Sequence, residues 1–229
     1  MSAKRIIVLA CGLAVMVTGA IALLARTSSP KSAGLAEREH AMEALGACIA
    51  RLRPHCQVLV LCNPFAKTAG YLDAKTQFER AALAGLRKGL GRRVPVTAVF
   101  PEIRAQYYTD RESLFLPPEC RTPLSFAIRP ASVNQLAEAH PQCQVIVSLI
   151  GLPSGVEQLD IWSDNDPRCF ALLLPDLRVL GPPKKAVGAF QAGKLLAAVD
   201  RDAASGDPLI VTRDNVEAVL QRQPQALGY

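Results

Sequence analysis

The sequence has little of what familiar chemistry requires. It contains no G-x-G-x-x-G, so a dinucleotide site lacks its glycines, and Lys67-Thr68 follows Ala66 where a phosphate-binding loop needs glycine. No G-x-S-x-G is present, and His40, His55 and His140 all fall at or before expected strand starts. Ser154-Gly155 follows a strand, at the other end of the sheet, so a Ser-His-Asp triad is disfavoured. No C-x-x-C occurs, which argues against a zinc ribbon. Asp160, Asp164 and Asp166 in Asp-Ile-Trp-Ser-Asp-Asn-Asp lack the glycine and distal glutamate of a calcium loop and read as a solvated turn. The formal charge of +6 has no nucleic-acid pattern behind it: Lys4 and Arg5 precede an apolar run, and the other basic residues are scattered with no interleaved aromatics. No nucleic-acid partner, cofactor or metal is expected.

What is present begins with Ile6–Ala25, twenty uncharged and largely apolar residues between Lys4-Arg5 and Arg26. That length suits a transmembrane helix and exceeds the roughly 7–15 residues of a signal-peptide core. Residues 1–26 therefore read as an uncleaved signal anchor, with the positive-inside rule leaning toward a cytoplasmic N-terminus. The expectation is a single pass through the inner (cell) membrane, with the domain on the extracytoplasmic side. Residues 27–34 (Thr-Ser-Ser-Pro-Lys-Ser-Ala-Gly) form a linker, and residues 35–54 a juxtamembrane or packing helix with Met42, Leu45, Ile49 and Leu52 on one face.

Residues 55–229 alternate strands and helices. Strands are expected at Gln57–Leu61, Val94–Phe100, Gln144–Ile150, Phe170–Leu174 and Leu209–Val211. Helices are expected from Asp73 to about Leu90, from a capping box at Ser132–Gln135 to His140, from Lys184 to Ala204, and from Asp214 to Arg222. The fold class is α/β: a doubly wound, mainly parallel five-stranded sheet of order 2-1-3-4-5, with helices on both faces and an N-terminal transmembrane helix before it.

Two runs echo one another. Pro54-His-Cys-Gln-Val-Leu-Val60 and Pro141-Gln-Cys-Gln-Val-Ile-Val147 agree at five of seven positions, which predicts two equivalent strand starts lying side by side. Cys56 and Cys143 would then share one end of the sheet, giving a candidate disulfide, with two buried free thiols as the alternative.

Ligands of such sheets bind outside the carboxyl ends of the strands. The loops there supply the candidate binding residues: Asn63, Lys67 and Thr68; Glu102 and Arg104; Ser154; and Asp176. The stretch from Pro101 to Pro130 is a long irregular excursion with Tyr107, Tyr108, Phe115 and Phe126, read as wrapping the domain edge, with a lid over the crevice as the alternative.

With strands Val-Leu-Val-Leu-Cys-Asn, Val-Ile-Val-Ser-Leu-Ile-Gly-Leu-Pro and Phe-Ala-Leu-Leu-Leu-Pro-Asp, and the glycine-containing stretch Val187–Val199, residues 55–222 resemble one lobe of a type I periplasmic substrate-binding protein. Those proteins close two lobes on a ligand, and this chain has room for one. The resemblance implies a binding or sensing module more than an enzyme and carries over no functional residue. The expected function is a membrane-anchored extracytoplasmic binding or interaction module for a small polar ligand or a partner protein. The alternatives are an enzyme acting on a small phosphate- or sugar-bearing substrate and a structural subunit of a membrane complex.

Overall fold

The core of the sheet is made of short, wholly buried strands. Every residue of β1 (Val58–Leu61), β3 (Val145–Ser148) and β4 (Cys169–Leu173) is buried, which requires cover on both faces. The structure, a computed structural model, describes residues 30–110, 114 and 116–229. The chain divides into two units, 1–37 and 38–229, and the second carries the sheet.

Chain order runs from α1 (Pro30–Leu52) through β1, α2 (Ala74–Leu90), β2 (Val96–Val99), the short α3 (Gln106–Thr109) and α4 (Leu124–Ala127), and α5 (Pro130–Glu138) to β3. Then come β4, α6 (Pro183–Gln191), β5 (Leu195–Arg201), β6 (Pro208–Val211) and α7 (Val216–Arg222). The sheet order is β2-β1-β3-β4-β5-β6. All pairs are parallel except β5–β6.

Side-chain alternation sorts the core into two layers. Val58, Val60, Val145 and Val147 pack with Met42, Leu45 and Ile49 of α1 and Ala82 and Leu86 of α2. Leu59, Leu61, Ile146 and Phe170 face Val133 of α5, Phe190 of α6 and Val216 of α7. Asp73 caps α2 as expected, accepting the Lys75 N–H at 2.7 Å.

The sheet has six strands, not five, because the helix expected over Lys184–Ala204 stops at Gln191. Gly193 takes φ +75°, and the Gly193 and Lys194 N–H groups donate back to Phe190 O (3.1 Å) and Ala189 O (3.0 Å). This is a Schellman termination. The next run, Leu-Leu-Ala-Ala-Val-Asp-Arg, has helix-forming composition but becomes β5, nearly all buried between β4 and β6, so tertiary burial overrides local propensity. The strand expected at Leu209–Val211 is β6 and lies antiparallel on the edge. The capping box at Ser132 is also corrected. α5 starts with Pro130 at its first turn, and Ser132 lies inside it, donating to Arg129 O (2.8 Å) and accepting the Glu102 N–H (3.0 Å).

The echoed runs do lie side by side, with Val58 opposite Val145 and Leu61 opposite Ser148. Cys56 and Cys143 are nevertheless free thiols. Cys56 packs in the layer of α1 and α2 while Cys143 packs in the layer of α5, so the two side chains diverge across the sheet. The run Ile6–Ala25 lies outside the described residues; among the described residues, no helix is long and apolar enough to cross a membrane.

α1 and α2 meet backbone to backbone. A Cβ added at Gly85 would stand 2.0 Å from Glu39 O, and one at Gly89 would stand 2.0 Å from Glu43 O. Neither carbonyl can yield without moving a helix. Gly89→Ala is therefore expected to cost about 3 kcal/mol, the upper range for overpacking, read as a lowered urea midpoint with an unchanged slope.

Candidate functional site

The chain leaves β1 for β2 on one side and reaches β3 on the other, so the connections after β1 and β3 part company at the carboxyl ends of adjacent strands. That is the switch point at which open α/β sheets form a crevice. Here it is a cavity of about 320 Å³, near the small end of ligand-site sizes. Its walls are Arg38 of α1, Asn63 after β1, Ala74, Lys75, Phe78 and Glu79 of α2, Leu149 and Ile150 after β3, and Arg121–Leu124.

Glu79 is the unusual member. It is 7% exposed, on the buried face of α2 with Ala82 and Leu86. Its Oε1 is 3.6 Å from Arg38 Nη2, too long for a hydrogen bond, and its Oε2 is enclosed without a partner among the described residues. The Asn63 N–H and the Cys62 thiol are placed to donate to the carboxylate, and both favour its charged form. Burial pushes the Glu79 carboxyl above its ordinary value, against the pull of Arg38 first and then of Asn63 and Cys62. Burial likewise lowers Arg38, against the pull of Glu79. Both directions say that desolvation outweighs the attraction between the two charges. Arg38 Nε is held by Phe78 O at 3.1 Å, so the guanidinium cannot swing closer freely.

Other donors line the crevice. Asn63 Oδ1 takes the Phe65 N–H at 2.9 Å, which leaves its Nδ2 available to a ligand. Lys75 Nζ is half-exposed and 3.9 Å from the nearest Asp73 oxygen. The first turn of α2 adds backbone N–H groups and the positive end of the helix dipole.

The fourth wall comes from the 101–130 stretch. Residues 121–124 line the crevice because Arg121 is pinned at the carboxyl ends of β4 and β5. Its guanidinium grips Asp200 through two bonds of 2.6 and 2.8 Å, and Nη1 also reaches Gln225 O at 2.8 Å. Its backbone N–H donates to Asp176 Oδ2 at 3.3 Å. Asp176 is fully buried and bonded by Arg178 at 2.8 and 2.6 Å, while Arg178 Nη1 donates to Pro118 O at 2.8 Å. Burial pushes the Asp176 carboxyl up, but Arg178 and the Arg121 N–H outweigh it and hold the group below the usual carboxylate value.

The residues expected from the sequence are thus dispersed. Asn63 lines the crevice, and Asp176 supports its wall from beneath. Arg104 and Ser154 do meet, with Nη2 to Oγ at 3.0 Å, but they border a separate, wider groove of about 800 Å³ beside α5. Arg104 Nε is also engaged by Ile128 O. Glu102 is exposed and paired with Arg129 at 2.9 Å. Lys67 and Thr68 are exposed in the loop after β1 and do not line the crevice. Arg38, Lys75, Glu79 and Arg121 are members of the site that the sequence reading misses. Glu79 has a legible signal, a carboxylate at i, i+3, i+7 with Ala82 and Leu86 on the apolar face of a helix. Among the described residues no cluster of three His, Cys, Asp or Glu is arranged to hold a metal ion.

No protein-family model matches the chain, and no curated protein matches it. The similar solved structures include sugar-binding and sugar-transport proteins. A carbohydrate transporter from Acidothermus cellulolyticus in complex with myo-inositol shares 13% identity at a TM-score of 0.48, over 83% of this chain and 62% of that one. A substrate-binding protein of a sugar ABC transport system from Bordetella parapertussis shares 12% identity at 0.49, over 84% and 60%. A periplasmic solute-binding protein from Actinobacillus succinogenes with bound D-allose shares 13% at 0.46, over 83% and 68%. The chain thus spans about three fifths of the length of the first of these.

Two outcomes are expected from the charges. Arg38→Met alone strands Glu79 and should cost about 3 kcal/mol, whereas the double replacement Arg38→Met/Glu79→Leu should stay within about 1 kcal/mol of the parent in urea unfolding. For Asp176, a folded value below the unfolded one means stability that is present above about pH 4 and lost as pH falls through the folded value. The stability gap between the parent and Asp176→Asn should be on the order of 3 kcal/mol at pH 7 and close on acidification below pH 4.

Proposed function

We propose that this chain is a binding module for a small polar molecule, and that the switch-point crevice between β1 and β3 is its site. The observation that carries the reading is the switch-point crevice itself, with the buried and incompletely hydrogen-bonded Glu79 carboxylate among its lining residues. A buried carboxylate oxygen without a partner is costly, and a ligand that donates to the Glu79 carboxylate as the side chain turns toward the crevice recovers that cost on binding. The ligand therefore carries a hydroxyl or amine to meet Glu79, and oxygen acceptors to meet Asn63 Nδ2 and Lys75 Nζ. Ala74, Phe78, Leu124 and Ile150 supply the apolar surface against which its carbon skeleton rests. From the run Ile6–Ala25 we further propose that the module is held at the cell membrane with residues 38–229 on the extracytoplasmic side.

The test is native mass spectrometry of the purified chain for a retained molecule. It is followed by calorimetric titration with sugars, polyols, hydroxy acids, amino acids and sugar phosphates. Glu79→Gln is expected to weaken the bound class by at least about tenfold, the worth of a hydrogen bond to a charged group. The control Glu157→Gln, on an exposed ion pair with Lys185, should leave it unchanged. Equal affinities for the parent and Glu79→Gln would remove the crevice as the site.

A further inference from the structure

The crevice is not balanced in charge, and its surplus narrows the class of molecule that suits it. Four ionisable side chains line it: Arg38, Lys75, Glu79 and Arg121. Arg121 is already engaged, with two bonds to Asp200 and one to Gln225 O. Glu79 is opposed by Arg38 at 3.6 Å. Lys75 is left in excess. Its Nζ is 3.9 Å from Asp73 Oδ2, and both groups reach solvent, while Asp73 Oδ1 is occupied in capping α2. An exposed pair of that length is worth little, so Lys75 can turn to a ligand. Arg38 has spare donors as well: Nε is bonded to Phe78 O, and neither Nη carries a hydrogen bond among the described residues.

Each class of small polar molecule meets that balance differently. A neutral sugar or polyol donates to Glu79 but brings no anion for the surplus charge or for the Arg38 Nη donors. An amino acid places its ammonium on Glu79, beside a guanidinium 3.6 Å from the same carboxylate, where burial strengthens the repulsion of like charges. A phosphate dianion brings one negative charge more than the lining offsets. A molecule with one carboxylate and a neighbouring hydroxyl matches on both counts: the carboxylate accepts from Arg38 and Lys75, and the hydroxyl donates to Glu79 without adding positive charge.

Taking the switch-point crevice as the binding site, as read above, we propose that its ligand is a small hydroxy acid, with its carboxylate between Arg38 and Lys75 and its hydroxyl on Glu79. The cavity of about 320 Å³ suits a short carbon chain, and Phe78 and Leu124 give that chain an apolar wall. Planar guanidinium donors fit a carboxylate through two parallel bonds, which adds orientation to the charge match.

The purified chain is titrated by calorimetry at low salt with compounds matched in carbon skeleton. Lactate is set beside alanine and propane-1,2-diol, glycerate beside serine, glycerol and glycerol 3-phosphate, and gluconate beside 2-amino-2-deoxygluconate and sorbitol. The expected result is one hydroxy acid bound at least about tenfold more tightly than every other member of its set. Lys75→Met should weaken that binding by at least about fivefold, and Arg92→Met, in the exposed turn before β2, should leave it unchanged. An amino acid, polyol or phosphate bound more tightly than its hydroxy acid, and lost in Glu79→Gln, overturns the choice of ligand and leaves the crevice as the site. A hydroxy acid bound equally by the parent and Lys75→Met overturns the charge match. A hydroxy acid bound equally by the parent and Glu79→Gln overturns the crevice and the inference together. No binding in any set overturns the inference, while a molecule of another class retained in the native mass spectrum and dependent on Glu79 keeps the crevice.

Discussion

The parallel pairing of β1 with β3 is the constraint from which the rest of the unit follows. Two nearly identical runs, each opened by proline and cysteine, enter the sheet in register, Val58 beside Val145. Because β2 then lies outside β1, the connections at the other end of that central pair diverge, and the diverging ends leave a cavity that neither helix layer fills. The crevice is a consequence of strand order, and its lining is a consequence of which residues each element contributes at that end of the sheet.

What distinguishes the crevice from an ordinary gap is the imbalance within it. Native interiors pair nearly all buried polar atoms, yet Glu79 Oε2 has no partner among the described residues and Arg38 stands too far away to bond its other oxygen. By contrast, the charges that hold residues 121–124 in place are fully engaged: Arg121 with Asp200, and Arg178 with Asp176. These pairs hold the wall formed by residues 121–124, whereas the Glu79 carboxylate in the same lining is incompletely bonded. Structures retain such unsatisfied groups where function uses them.

Much of this architecture is legible in the sequence because burial and periodicity agree there. The short apolar strands, the Asp73 cap and the adjacency of the echoed runs all follow from local pattern. Sequence reading fails where local and tertiary preferences conflict. Leu195–Arg201 has the composition of a helix, and only its position between two strands makes it β5. Gly193 is the local clue to that break. The site is less legible than the fold. Asn63 can be placed by topology, but Arg38 reaches the crevice from a packing helix and Arg121 from the 101–130 stretch, where it is held by Asp200, a partner 79 residues away. No spacing rule links them. The divergence of Cys56 and Cys143 across the sheet is of the same kind: register brings two residues level but does not fix the side from which each packs.

The most direct measurement is the titration of the Glu79 carboxyl by carbon-13 NMR in the unliganded protein. A desolvated carboxylate with an empty hydrogen-bonding position should titrate clearly above the ordinary glutamate value of about 4.3. It should move back toward that value when a donating ligand fills the crevice. An ordinary value without ligand would mean that water or the protein already satisfies the oxygen, and would contradict a site held open for a ligand.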